Sequence, residues 1–274
     1  MFTTPFAFMA APAGGFDPDA QAYFDRVTAA GGSLTTTEKN ATNTLVLDLK
    51  GYSIWTVIKA AYPMLGSSAA SCAQNLKSAS FTGTFSSGWT FASTGAKPDG
   101  SSAYMMTGFS PSSELVETSA HLSFYSRTQS TSLSGYDINS RDLSPENEFG
   151  LSQYYAGILS KIFMSYWYPT WGILPNITNT LGFQIGTRVS TVLSKMMFNG
   201  SIIATNTTSI TGSGHTLPAT TMYLGATNLG DTYIVQYQNR ECAFASMGTL
   251  LSDTQASDFY TAVQAFQTTL SRQV

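Results

Sequence analysis

Charge is what this sequence has least of. Only 11% of its 274 residues are Asp, Glu, Lys or Arg, less than half the usual share of about 25%. The formal net charge is −3 and no basic run occurs, which excludes a nucleic-acid partner, because such binding leans on clustered Lys and Arg. Histidine is nearly absent: His121 and His215 are the whole supply. Neither stands beside a nucleophile-elbow sequence, so both read as structural. The two cysteines, Cys72 and Cys242, are far apart and follow no metal spacing; they read as free buried thiols rather than a disulfide. No apolar run reaches the ~18 residues needed to cross a bilayer, so membrane insertion is not expected. A phosphate-binding glycine loop is missing, and no cofactor is expected.

Serine, threonine and asparagine do much of the solubilising in place of charge. With 43% hydrophobic residues the chain has ample material for one large β domain, or for a β domain with a small appendage. The first stretch, residues 1–15, is apolar but carries no positive charge before Arg26, so it does not read as a secretory signal peptide. It reads either as a tail without fixed structure or as a docking segment, since Phe2, Phe6, Phe8 and Met9 are costly to leave in water.

Residues 16–66 read as a helical part. Asp17 is an N-cap with Pro18 at the first helical position, and Ala20, Tyr23, Phe24 and Val27 follow at helical spacing. Thr35 and Glu38 fit a capping box for a second helix, with Ala41, Leu45, Val46 and Leu49 as its stripe. A third short helix is expected over Tyr52–Ala61, with Ile54, Trp55 and Ile58 on one face.

Residues 67–274 change texture. Phe81–Phe85, Trp89–Phe91, Tyr104–Thr107, His121–Arg127, Leu181–Thr187, Thr191–Phe198, Met222–Leu224 and Cys242–Met247 read as short strands. Asn199-Gly200 is the strongest hairpin signal, because both turn positions need φ > 0. Many short strands with turns between them mean a sandwich or jelly roll. The chain then returns to helix at Ser252, an N-cap, with Asp253 at the positive end of the dipole and Ala256, Phe259, Tyr260, Val263 and Phe266 as the buried face. The fold class is mainly β, with a small helical N-terminal part and a C-terminal helix packed on the sandwich.

Candidate chemistry is sparse. A glucanase needs two carboxylates flanking a cleft; Glu146 and Glu148 are the best pair but read as a solvated proline turn, as do Glu114 and Glu117 in a serine-rich one. Asp137, Asn139 and Asp142 supply oxygen ligands of the kind calcium takes, but lack the glycine and terminal glutamate of an EF-hand loop; they read as a polar turn, and no metal is expected. Tyr154, Tyr155, Tyr166, Trp167, Tyr168 and Trp171 gather aromatics into a candidate ligand or partner surface, by ring stacking or by packing at a subunit interface. No catalytic residue emerges, and the chain reads as a non-enzyme.

Two resemblances extend this reading. Met197–Gly200, Met222–Ala226, Cys242–Ser246 and Leu251–Ala256 together resemble the hairpin, strand and helix start of the concanavalin-A-like, laminin-G-type jelly roll, a fold that hosts many functions. More of the chain resembles a group of bacteriophage virion proteins from tailed phages of Bacteroidetes-type hosts, including the crAss-like phages. The residues that carry this are Asp19–Tyr23, Asn43–Gly51, Trp55–Pro63, Ser87–Thr90, Ser93–Gly100 and Phe259–Leu270; Ser130–Thr180 departs most from the pattern. This resemblance implies a structural protein on the head or tail surface, a fibre, decoration or adaptor module, assembled in the host bacterial cytoplasm and located in the virion. Its implied partners are other virion proteins and further copies of itself, a trimer first. A glycan-binding module that aids host-surface adsorption is the alternative, and a glycan-degrading enzyme the remote one.

Overall fold

The computed structural model describes residues 15–129, 135–144, 147–155, 158–164, 179–209 and 216–274. From the N-terminus come helices α1 (Pro18–Ala29) and α2 (Thr36–Gly51), strand β1 (Ile58–Tyr62) and a single turn α3 (Ala69–Cys72). Short strands follow: β2 (Thr84–Phe85), β3 (Trp89–Ala92), β4 (Gly95–Pro98) and β5 (Met105–Met106), then the turn α4 (Pro111–Glu114). The longer strands are β6 (Ala120–Ser126), β7 (Ile138–Arg141), β8 (Glu148–Tyr155), β9 (Ile158–Met164), β10 (Gly182–Ser190), β11 (Leu193–Phe198) and β12 (Ser201–Asn206). The chain ends with β13 (Tyr223–Leu224), β14 (Thr227–Leu229), β15 (Tyr233–Val235), β16 (Cys242–Gly248) and helix α5 (Asp253–Thr269).

These strands form two sheets of eight among the described residues. The first runs β12-β11-β10-β6-β16-β4-β3, with β1 also on β16; the second runs β15-β14-β7-β13-β5-β2, with β8 on β7 and β9 on β8. Pairing is antiparallel except where β14 meets β7. The sheets close face to face on Leu122, Phe124, Met247, Ala245, Ile138, Phe149, Leu151 and Leu224, all buried in one cluster.

A second cluster lies on the other face of the first sheet. Tyr125, Phe183, Ile185, Met197 and Phe244 meet Tyr23, Phe24, Leu45, Leu49, Phe259 and Val263 of the three long helices there. The molecule is therefore layered as helices, sheet and sheet, and residues of 16–66 share one core with α5. Burial on both faces explains why β16 reads as an unbroken run of apolar and small residues, all seven of them buried.

The helix caps follow from sequence. The Asp17 side chain accepts from the Asp19 N–H, and Lys50 Nζ lies 2.6 Å from both carboxylates, tying α2 to the start of α1. Thr35 and Glu38 form the expected capping box, and Ser252 forms another with Gln255. Asn199 and Gly200 take φ of +46° and +82° between β11 and β12.

Two elements differ from the expectation: of the strand read over Phe81–Phe85 only Thr84–Phe85 forms, Phe81 being in a turn at φ +59°, and one expected helix is missing. The third helix, read over Tyr52–Ala61, is absent: Ile58–Tyr62 is strand β1, paired antiparallel with β16 from Tyr62 opposite Ala245 to Ile58 opposite Gly248. After α2 the chain reverses through Ser53, at φ +58°, and the Ile54 and Trp55 amides both donate to Leu49 O. An apolar run buried on both faces shows no period-two alternation, so Ile54, Trp55 and Ile58 imitated a helical stripe. Both cysteines are free and buried, as expected. Burial pushes the Cys72 thiol up to about 12 and Cys242 well above its ordinary value, so neither is a ready nucleophile.

Candidate functional site

The fold first disposes of the groups that sequence singled out. Glu148 is not in a solvated turn: it opens β8 opposite Arg141 and is fully buried. Its two oxygens accept from Tyr136 Oη at 3.0 Å and Asn139 Nδ2 at 3.2 Å. Its neighbour Glu146 lies outside the described residues, as does His215. Glu114 closes α4, and Glu117 stands half-buried in the next turn.

Asp137, Asn139 and Asp142 do not form the expected polar turn: Asn139 lies in β7, between Asp137 and Asp142 at its two ends, Asp137 and Asn139 are buried, and the three have different tasks. Asp137 pairs with Arg240, Asn139 donates to Glu148, and Asp142 accepts from the Ala219 and Thr220 amides and the Thr220 hydroxyl. No cluster of three His, Cys, Asp or Glu able to hold a metal occurs among the described residues. None of the helices among them is long and apolar enough to cross a membrane.

His121 is structural. It is fully buried on β6, with Nδ1 2.5 Å from Thr249 O and Nε2 3.4 Å from Ser246 Oγ. Its ring meets the Phe259 ring edge-on at 6.2 Å. Burial lowers its pKa to about 4, against the smaller opposing effect of the Thr249 carbonyl. The imidazole is neutral at pH 7 and sealed from any substrate.

The expected aromatic surface falls largely beyond the described residues. Tyr166, Trp167, Tyr168 and Trp171 lie outside them, as do Phe2, Phe6, Phe8 and Met9. Tyr154 and Tyr155 end β8, opposite Leu159 and Ile158 of β9.

A different aromatic group is in view, and sequence reading passed over it. β2 is an edge of the second sheet and β3 an edge of the first. The two are joined by Ser86, Ser87 and Gly88, so both edges lie together at one open side of the sandwich. Phe85, Trp89 and Phe91 close that side, half-buried. Phe85 meets Trp89 at 5.0 Å and Phe91 at 4.9 Å, both edge-on, while Trp89 and Phe91 stack at 6.4 Å. Beside them Tyr104 stacks on Tyr223 at 5.1 Å with 5° between the planes.

The edge is held in shape from below. Gly225 comes so close that a Cβ there would stand 3.0 Å from the Trp89 ring. Asp99 accepts from the Ser101, Ser102 and Ala103 amides, and these bonds hold its carboxyl well below the usual carboxylate range. That turn delivers Tyr104, whose amide donates to Ser86 Oγ at 2.9 Å. These half-buried rings also pack against the core between the sheets; aromatic rings of this kind suit contact with a sugar ring or a partner's aromatic side chain. The signal in sequence was the alternation of aromatics in Phe85 and Trp89-Thr90-Phe91, which read only as strand.

No protein-family model matches the chain, and no curated protein sequence does either. Solved structures do. The fourth domain of AbnA, an extracellular arabinanase from Geobacillus stearothermophilus in complex with arabinotriose, superposes with a TM-score of 0.51 at 11% identity, over 74% of this chain and 98% of that one. A Trypanosoma rangeli sialidase mutant displaying trans-sialidase activity gives 0.49 at 9% identity, over 82% of this chain and 39% of that one. The binding domain of botulinum neurotoxin serotype D gives 0.49 at 13%, over 76% and 51%. At these identities the likeness to the arabinanase domain is one of fold alone, and the fold it establishes is the jelly-roll β-sandwich.

Proposed function

We propose that this chain is a non-enzymatic structural protein of a tailed-phage particle, displayed on the head or tail surface as a fibre, decoration or adaptor module. The observation that carries the reading is where the phage-like residues fall. Asp19 is paired with Lys50, and Asn43 Oδ1 accepts from the Asp17 amide at 2.7 Å. Trp55 lies 4.3 Å beneath the Lys77 ammonium, and Trp55–Pro63 contains the β1 strand on β16. Phe259, Val263 and Phe266 fill the helix–sheet core. The first of these hold α1 to α2, the others bind the helix layer and β1 to the first sheet, and none prepares a reactive group.

The described carboxylates and imidazole support the same reading: His121 is buried and neutral, and Glu148 is buried and hydrogen-bonded. Its partners are then other virion proteins, with further copies of the chain, a trimer first. The test is composition and placement in purified particles. Incorporation at fixed copy number, lost on deleting Met1–Gly15 while the fold persists, is the expected result; absence of the chain from the particle overturns the reading.

A second reading has its own observation. The Phe85, Trp89 and Phe91 edge gathers three half-buried rings at one side of the sandwich, and the arabinanase domain of the same fold was solved with arabinotriose. We therefore propose glycan contact at the host surface as an additional role. A glycan array with wild type, Trp89→Ala and Trp167→Ala decides it: binding by the wild type that falls in either variant supports the role, and no binding by the wild type removes it.

A further inference from the structure

A cavity of about 430 Å³ opens between the start of α2 and the end of α5, a volume ordinary for a small-molecule pocket. Four separated parts of the chain wall it: Ser33, Thr35 and Glu38 around the start of α2, Ser67 in the loop after β1, Ser93 in the turn between β3 and β4, and Thr269 and Ser271 at the end of α5. Seven of its ten lining residues carry a hydroxyl, and Glu38 is the one charged residue among them.

Glu38 is fixed in place with capacity to spare. It is 9% exposed. Oε2 accepts from the Thr35 amide at 2.7 Å and the Thr35 hydroxyl at 2.8 Å, and Oε1 from the Gly66 amide at 2.9 Å. A carboxylate has about four acceptor sites, so Oε1 keeps one. Two serines of the wall are held at a cost. Ser67 takes φ +49° and Ser271 φ +54°, the left-handed region that favours glycine. Ser271 stands where a helix end most often places glycine: its amide donates to Thr268 O and the Arg272 amide to Gln267 O, the Schellman pattern. Neither serine hydroxyl bonds another group among the described residues. Backbone strain of this kind gathers at ligand sites.

We propose that this cavity binds a neutral sugar, with Glu38 Oε1 accepting from one sugar hydroxyl and Ser67 and Ser271 bonding others. No Lys, Arg or His lines it among the described residues, so an anion would meet Glu38 without a counter-charge. A cation is disfavoured as well. The positive end of α2 lies beside Glu38, and the buried Arg272 guanidinium already feels the Glu38 charge. A polyhydroxylated ring needs an acceptor and hydroxyls that both give and take, and Leu270 adds an apolar contact. The cavity shares no lining residue with the Phe85, Trp89 and Phe91 edge, so it stands or falls apart from the contact proposed there.

The experiment is NMR titration of the full chain, following the Gly66, Ser67 and Ser271 amides. Glucose, galactose and mannose are the neutral probes, with glucosamine and glucuronate as cationic and anionic ones. At least one neutral sugar should shift the three amides saturably, with a midpoint of about 1 mM; glucosamine should bind no tighter, and glucuronate not measurably. Ser67→Gly combined with Ser271→Gly removes both hydroxyls and relieves both φ angles. It should weaken the sugar about tenfold without lowering the melting temperature. Glu38→Gln, which a capping box accepts, should also weaken it, and Trp89→Ala should leave it unchanged. No shift with any neutral sugar overturns the proposal, as does tighter binding of a charged one. Undiminished affinity in the folded double-serine variant or in Glu38→Gln also overturns it. Loss of binding in Trp89→Ala would place the sugar at the aromatic edge instead, and overturns it too.

Discussion

Arg240 Nε lies 2.5 Å from Asp137 Oδ1 with both side chains sealed from solvent, 0% and 1% exposed. Arg240 leads into β16 of the first sheet and Asp137 into β7 of the second, so the pair ties the two sheets together. Removing one partner of such a pair leaves the other charge buried and uncompensated, at a cost of about 3–5 kcal/mol. Asp137→Asn should lose that much in chemical denaturation, and a loss below about 1 kcal/mol would assign the pair a surface-like role. Calcium should leave the wild-type melting temperature unchanged, because Asp137 is already engaged; a calcium-dependent rise that disappears in Asp137→Asn would restore the oxygen-ligand alternative.

His121 gives the fold an acid limit. Its pKa is about 4 in the folded chain against 6.5 for the free side chain. Between those values the unfolded chain binds the extra proton and the folded chain does not, so stability rises with pH across the window and is lost on acidification. The loss amounts to roughly 3 kcal/mol below pH 4. Urea denaturation of wild type and His121→Gln from pH 4 to 7 should show the steeper slope in the wild type. Parallel slopes would mean that His121 accepts its proton without opening the helix layer.

Phe259 is the keystone of that layer. It meets Phe183 at 5.2 Å and Phe244 at 5.9 Å, both edge-on, and has no exposure. Phe259→Ala should cost about 3–5 kcal/mol, read as a lowered denaturation midpoint; an unchanged midpoint would make α5 peripheral.

How far sequence reached depended on whether the signal was local. Asp17, Thr35, Glu38 and Ser252 announced their helices because a cap acts within four residues, and Asn199-Gly200 announced its hairpin because only certain residues take those φ angles. β1 was misread because its partner, β16, lies almost two hundred residues away in the sequence, and nothing near Ile58 encodes that pairing. Glu148 was misread because a proline turn beside it suggested exposure, while Tyr136 and Asn139 bury it. The Phe85, Trp89 and Phe91 edge was invisible for a related reason: the residues are legible as strands, but only the stacking of two sheet edges makes them one surface.

Trp89 separates packing from recognition. It is half-buried, so Trp89→Ala should cost only about 1–2 kcal/mol of stability while removing glycan binding at that edge. A loss of stability comparable to that of Phe259→Ala would identify the ring as core and withdraw the recognition role.

The proposed role is structural, in a phage particle, with no catalysis. Cryo-electron microscopy of intact particles, with the chain located by fitting its sandwich and helix layer, tests that most directly. Repeated copies at one defined position on the head or tail, with the helix layer and sandwich intact in each, are expected. Particles complete without the chain, together with hydrolysis of host polysaccharide by the purified protein, would contradict it.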